Sequence, residues 1–363
     1  VRSTYKHLVL ATLALFGFLF LYLALISEKL TEHIQTMISE IIKIKSMNFE
    51  SKPFRNSLIY EVSQLQQAIL TMKKGLKSFK KYVPKQVVKS ILNRNEEARI
   101  SSEKKTVTVL FSDIQKFSEI LEESKASAIT NQLSEYFETC NEEIAKFLGQ
   151  VDKFVGDSIM AYWTEEDKKQ DAILTCSCAL SLLEKLDVLN KHWAQKNKLI
   201  FNTRFGISTG EAIIGNIGSM HRLDYTIIGN CVNIANRLES ANKYYDTKIL
   251  INEDTYQLVQ DELLCIPLDT VIFRNFKKPT QLYSVLGQIE DQNNTTWLKD
   301  IKTFSDAIHL YKEQKFEKAY EGFKSIQETD HPLPTNLFIK RIEGLLKAPP
   351  QHWSSIINFN KTD

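Results

Sequence analysis

Two aspartates occupy positions from which a carboxylate can reach a ligand. Asp113 ends the stretch TVTVLFSD, in which Val107, Val109 and Phe111 alternate as one face of a strand. Asp157 follows Gly156 at the join between the apolar runs VDKFV and SIMAYW, which read as two strands and a hairpin turn. Carboxylates are hard oxygen donors suited to divalent cations such as Mg2+ or Mn2+. Asn233 and Arg237 are four residues apart, so they share one helix face. A guanidinium stays charged and offers several donors to an anion such as phosphate. Taken singly, each residue also has an ordinary structural role. Asp113 suits a helix N-cap, Asp157 a turn, Asn233 a helix start, Arg237 a solvated face and Lys153 a strand lysine that snorkels.

The elements that must position these groups follow from periodicity. Thr106 to Ser112 is a strand, and helical spacing follows at Ile129, Leu133, Phe137, Cys140, Ile144 and Phe147, closed by Gly149. A helix over roughly 168–196 precedes a strand at FNTRFGIS and the Gly-punctuated TGEAIIGNIG. DYTIIGNCVNIANRLESA then reads as strand, turn and helix. Strands and helices alternate without the repeated long crossovers of a doubly wound sheet, so the expected class is an α+β sandwich.

The chain has 363 residues, too many for one ordinary domain. Its 46 Lys and Arg against 44 Asp and Glu leave a formal charge of +2, so no global basic field points to nucleic acid. Five scattered cysteines without CxxC or neighbouring histidine spacing argue against a disulfide scaffold or structural zinc, and fit a reducing compartment. Leu8 to Ile26 is a charge-free run of 19 residues, long enough as a helix to span the hydrocarbon core. It exceeds the usual apolar region of a signal peptide and lacks a clear cleavage site. A start at Val1 suggests a fragment whose upstream part, an outward-facing sensor, is missing.

Beyond that run, Leu30, Ile34, Met37, Ile41 and Ile44 form a heptad seam, and the spacing returns at Leu58, Val62, Leu65, Ile69, Met72, Leu76 and Phe79. The seam implies a homodimer that buries it. Between Lys73 and Lys105, eleven Lys or Arg against three Glu read as the solvated side of a helix. Two heptad helices after a transmembrane helix resemble a HAMP domain, the parallel four-helix relay of bacterial receptors; the alternative is a plain coiled-coil stalk. After about residue 290, Phe304, Ala307, Tyr311, Phe316, Ala319 and Phe323 outline two amphipathic helices, weakly similar to tetratricopeptide repeats. So short a series is expected to pack on the preceding domain or on a partner.

Within residues 104–288, VLFSDIQKFS, KFVGDSIMA, FGISTGEAIIGNIGS and DYTIIGNCVNIANRLE occur in the order and spacing of the class III nucleotidyl cyclases, which this stretch resembles. The resemblance implies a ferredoxin-like α+β domain in which the ribose 3′-hydroxyl of a nucleoside triphosphate attacks its own α-phosphorus and pyrophosphate leaves. It assigns two divalent cations, Mg2+ or Mn2+, to Asp113 and Asp157, with the Ile114 carbonyl as an added ligand. Asn233 and Arg237 orient the ribose and stabilise the transferring phosphate. The helix opening at Phe117 and Ser118 faces the triphosphate, with a further cation from Arg274 or Lys277. Lys116 stands where the family usually has Gly, and the family's Lys-Gly-Lys pattern is altered in FRNFKKP.

Adenine offers an acceptor at N1 and donors at its 6-amino group; guanine offers the reverse, so a Lys paired with a hydroxyl acceptor suits adenine. The resemblance puts Lys153 and Thr226 at the base-selecting positions. Cys231, after Gly229 and Asn230, is outside them. It also places the metal aspartates in one subunit and the base-selecting and transition-state residues in its partner. The reading is therefore a membrane-anchored homodimeric adenylate cyclase acting on ATP, with its catalytic domain cytoplasmic. The alternatives are a guanylate or dual-specificity cyclase, or an inactive nucleotide-binding or dimerisation module. The expected organisation is a transmembrane helix over 1–27, a HAMP-like region over 28–82, a linker over 83–103, the cyclase domain over 104–288 and a helical extension over 289–363.

Overall fold

The computed structural model describes residues 2–46, 48–50, 54, 57, 59–79, 101–123, 126–164, 167–219, 222–289, 295–327, 333–350 and 352–359. The chain forms two units, residues 1–99 and 100–363. The expected linker over 83–103 lies almost wholly outside the described residues, as does Leu58 of the second heptad run.

In the first unit, helix α1 (Arg2–Lys45) carries the apolar run, and α2 (Tyr60–Phe79) follows. Among the described residues, α1 is the one helix long and apolar enough to cross a membrane; the mean hydropathy of its best window is 2.6 and none of that window is buried. The two helices run parallel. His33 faces Gln66 and Glu40 faces Lys73, an advance of seven residues on both.

The heptad seam divides between two surroundings. Met37 and Ile44 of α1 and Val62 and Ile69 of α2 are buried against one another, with Leu30 packed beside them. Ile34, Ile41, Leu65, Met72 and Phe79 are 43–58% exposed. One half of the seam is thus satisfied within the chain, which corrects the expectation that a partner must bury all of it. Lys73 is a second correction. It is buried, not solvated, because Glu40 accepts from its ammonium at 2.6 Å while Lys43 holds the other carboxylate oxygen at 2.7 Å.

The second unit is built on a mixed sheet whose nine described strands are β1 (Ser101–Ile114), β2 (Gln150–Val155), β3 (Ser158–Trp163), β4 (Thr203–Gly218), β5 (Leu223–Ile228), β6 (Ile249–Asn252), β7 (Leu263–Ile272), β8 (Thr280–Gln288) and β9 (Ile356–Asn358). The order is β2-β3-β1-β4-β6-β8-β7-β9, with β5 paired to β4; β4–β6 and β7–β9 are the parallel pairs. From Val107 onward β1 is buried on both faces, while its first six residues are exposed. Val107 and Val109 pack with Ala212, Ile214 and Ile227 beneath helix α6 (Asn230–Tyr245). Leu110 and Ile114 point the other way, against α3 (Phe117–Glu123), α4 (Ala126–Lys146) and α5 (Lys168–Gln195). Each fully buried Leu, Ile or Val contributes about 1.5–3 kcal/mol, so the double burial makes β1 the anchor of the sheet.

The glycines of FGISTGEAIIGNIG do not interrupt their strand, as their punctuation suggested; β4 runs unbroken through all of them. At Gly206 a Cβ would overlap the Glu239 backbone nitrogen, so the missing side chain is what lets α6 lie directly on β4. Beyond β6, α7 (Glu253–Val259) joins the α5 side of the sheet. The extension folds as α8 (Thr295–Lys312), α9 (Phe316–Ser325) and α10 (Thr335–Lys347), and these share a core with α6, β7 and β8. Arg341 of α10 pins them: its guanidinium donates to both oxygens of buried Asp269 at 3.0 and 2.9 Å and to Tyr244 Oη at 3.0 Å.

Candidate active site

β1 and β3 pair antiparallel up to Ser112 opposite Ile159, which sets the end of β1 beside the turn between β2 and β3. Gly156 supplies the left-handed φ of 65° that this turn requires, and Asp157 follows it. The two aspartates are laced across the gap. Asp157 Oδ2 accepts the Ile114 N–H at 3.1 Å, and Asp113 Oδ1 accepts the Ser158 hydroxyl at 2.7 Å. Burial, then the neighbouring Asp113 charge, pushes the Asp157 carboxyl up to about 6.

Two crowded carboxylates, with the proton affinity of Asp157 raised by burial and by its neighbour, fit a divalent cation whose charge relieves their repulsion. Among the described residues, no group of three His, Cys, Asp or Glu side chains is placed to hold a metal. That sparse donor set suits Mg2+ or Mn2+, which keep waters and substrate oxygens as ligands.

Two charged groups close to the pair escaped the sequence reading. Glu239 on α6 is buried, and burial together with the Asp113 and Asp157 charges pushes its carboxyl up to about 7. Arg204 stands opposite Asp113 in the β1–β4 register, with its Nε buried and unbonded. Neither is local to the aspartates in sequence; only the alternation that aims Arg204 at β1's partner position could have hinted at it.

Asn233 and Arg237 share one face of α6, as their spacing predicts, and both are exposed. They line a cavity of about 690 Å3 together with Arg274 and Lys277, which lie in the connection between β7 and β8. Three of the nominated cations, Arg237, Arg274 and Lys277, thus converge on one hollow, whereas Lys153 does not line it. Asp113 and Asp157 do not line it. Arg237 and Arg274 also border a second cavity of about 570 Å3, closed on another side by Tyr244 and Phe359.

At the start of α3, Lys116 takes a left-handed φ of 58°, the conformation glycine adopts most easily. The Phe117 side chain is buried edge-on against Phe201, 6.0 Å between centroids, so any ligand contact from Phe117 is restricted to its backbone. Ser118 is exposed. Lys153 on β2 and Thr226 on β5 meet through a residue that motif matching passed over. Asp152 Oδ2 accepts the Thr226 hydroxyl at 3.0 Å and lies 3.3 Å from Lys153 Nζ.

The sheet, the carboxylate pair at the end of its central strand and the polar helix α6 are the parts of a nucleotidyl cyclase domain. Residues 100–287 match the family described as Adenylate and Guanylate cyclase catalytic domain, and the chain belongs to it. Adenylate cyclase 1 of Rhizobium meliloti (strain 1021) is 29% identical over 271 residues, covering 74% of this chain and 41% of that protein. The adenylate cyclase of Anabaena cylindrica is 30% identical over 196 residues, covering 52% of this chain and 38% of the relative. The chain therefore spans less than half the length of these relatives. Among solved structures, adenylyl cyclase CyaB from P. aeruginosa is 34% identical over 53% of this chain and 100% of that one, with a TM-score of 0.49. A bacterial light-regulated adenylyl cyclase shares the fold at a TM-score of 0.57 and 24% identity, over 69% of this chain and 71% of that one.

Proposed function

We propose that this chain is a membrane-anchored adenylate cyclase that converts ATP to 3′,5′-cyclic AMP and pyrophosphate in sites shared between two subunits. The observation that carries the reading is the separation of its polar groups. The carboxylate pair and the cationic cavity are each well formed, yet Asp113 and Asp157 do not line that cavity. A site that needs both is completed by apposing two copies, as an isologous dimer does twice over. Phe154, Val155, Ile213 and Ile228 are 45–57% exposed on β2, β4 and β5, the strands that carry or adjoin Lys153 and Thr226, and they offer apolar surface for that contact.

In this reading, Asp113 and Asp157 hold divalent cations. When bound, those ions lower the pKa of the ribose 3′-hydroxyl and neutralise charge on the transferring and leaving oxygens. Asn233 orients the ribose. Arg237 donates to the phosphate oxygens as charge develops in the transition state, and Arg274 or Lys277 grips the triphosphate. Lys153 and Thr226 read the purine edge; a donor-only lysine at this place favours adenine N1 over guanine N1–H. The exposed half of the α1–α2 seam supports a second copy alongside the first, in a HAMP-like four-helix arrangement whose shifts would alter how the catalytic domains meet. The apolar part of α1 supports a membrane anchor, and an ATP-consuming catalytic domain is assigned to the cytoplasm as part of the same proposal.

The test is the conversion of ATP by the purified full chain with Mg2+ or Mn2+, beside Asp157→Ala. Cyclic AMP formation that disappears in the variant is expected. Undiminished activity in Asp157→Ala would refute the metal assignment, and turnover of GTP in preference to ATP would refute the base assignment.

A further inference from the structure

Asp152 is joined to both residues nominated for reading the base, and its geometry gives it a role that the sequence motifs do not. Its side chain is 0% exposed while that of Lys153 is 44% exposed. Neighbouring strand residues point to opposite faces, and an irregularity between Val151 and Lys153 leaves Asp152 outside the β2–β3 register, with its carboxylate still within 3.3 Å of Lys153 Nζ. The acid is therefore turned inward beside a lysine whose head group stays at the surface. Asp152 Oδ2 takes the Thr226 hydroxyl hydrogen at 3.0 Å, whereas Oδ1 is buried without a hydrogen-bond partner.

A threonine hydroxyl has one hydrogen and two lone pairs, so on its own it can donate to an oxygen or accept from an amine with equal ease. Such a group cannot tell adenine from guanine at the 6-position. Committing its hydrogen to a carboxylate removes that ambiguity. The commitment survives protonation of Asp152, because the proton of the neutral acid has the unpartnered Oδ1 to occupy and Oδ2 remains an acceptor.

Resting on the adenylate cyclase reading above, we propose that Asp152 is a positioning residue for base selection: by holding the Thr226 hydroxyl hydrogen, it leaves Thr226 as an acceptor only. An acceptor-only Thr226 takes a hydrogen from the 6-amino group of adenine and repels the 6-oxo oxygen of guanine. Lys153, a donor only, completes the pattern at N1. A buried polar arrangement that matches one partner and leaves the other unpaired discriminates far more strongly than shape does.

The experiment measures kcat/KM of the full chain for ATP, GTP and inosine triphosphate, the last carrying the 6-oxo group without the guanine 2-amino group. In Asp152→Ala the freed hydroxyl can donate to a 6-oxo group, so the ATP:GTP and ATP:ITP ratios should each fall by at least about tenfold. Thr226→Ala should lower the same ratios. Adding Asp152→Ala to Thr226→Ala should then change them by less than about twofold, since the two residues act through one hydrogen bond. If Asp152→Ala does not fold, Asp152→Asn provides the same readout, because its amide offers a hydrogen as well as a lone pair and no longer commits the hydroxyl. A merely structural acid would lower turnover of all three triphosphates in proportion. Unchanged ratios in an active Asp152 variant, or full additivity in the double variant, overturn the inference and leave the proposed reaction standing. An unsubstituted chain that cyclises neither ATP nor GTP overturns both.

Discussion

Asp157 accepts the backbone N–H of Ile114 at 3.1 Å, and this bond ties the β2–β3 turn to the end of the strand that carries Asp113. It sets two like charges side by side, and the protein tolerates the repulsion by raising the proton affinity of one of them. Adding Mn2+ should therefore raise the thermal midpoint of the protein. In Asp157→Asn the metal-free midpoint should rise and the response to Mn2+ should vanish. Differential scanning fluorimetry reads both, and a variant that still responds fully to Mn2+ would contradict the pairing.

Shared sites make a prediction about mixtures. Asp157→Ala and Arg237→Ala should each lower kcat by roughly two orders of magnitude or more, since each removes a charge that acts on the transferring phosphate. Co-expressed in equal amounts, the two inactive chains should recover about a quarter of the unsubstituted activity, because half the dimers are mixed and each holds one intact site. No recovery in purified mixed dimers would show that each chain completes its own site.

The buried Glu239 sets a pH dependence whose sign is defined. Its folded-state carboxyl is pushed from an ordinary 4.5 up to about 7, first by burial and then by Asp113. A group shifted upward in this way contributes stability that is complete below the ordinary value and is lost as pH rises through the folded one. Metal-free protein should thus lose stability between about pH 4.5 and 7, and Glu239→Gln should flatten that slope. Urea denaturation at pH 5 and pH 8 measures it: the variant should gain relative to the parent only at the higher pH.

The divided heptad seam separates folding from association. Met37→Ala should destabilise the α1–α2 pair by about 2–4 kcal/mol, as truncation of a buried side chain does. Ile41→Asn with Leu65→Asn should leave helicity intact and weaken self-association, because both side chains are about half exposed, at 47% and 52%. Circular dichroism and sedimentation velocity in detergent distinguish the two outcomes.

Arg341→Ala should cost about 3–5 kcal/mol, because it strands Asp269 in a site where that carboxylate is 1% exposed. Among the described residues, Tyr245 would still donate to it, at 2.9 Å. Tyr244 and Tyr245 belong to the helix that carries Arg237, so activity should fall along with stability. Guanidinium denaturation followed beside turnover checks the link.

By itself the sequence determined which residues stand at strand ends, in turns and on a shared helix face, because strand alternation and the four-residue helix repeat act over a few positions. That is why Asp113 could be placed at a strand end, Asp157 in a turn, and Asn233 and Arg237 on one helix face from their neighbours, and why Leu8 to Ile26 could be read from length alone; the roles of the four polar residues came only from the motifs that resemble the cyclase family. The tertiary structure decided the partners. Asp152 meets Thr226 across 74 residues, and Lys73 meets Glu40 across 33. Glu239 is brought within reach of the aspartates because Gly206 lets α6 lie on β4. Such pairings depend on strand register and on the close approach of distant backbone, and local periodicity carries no record of either.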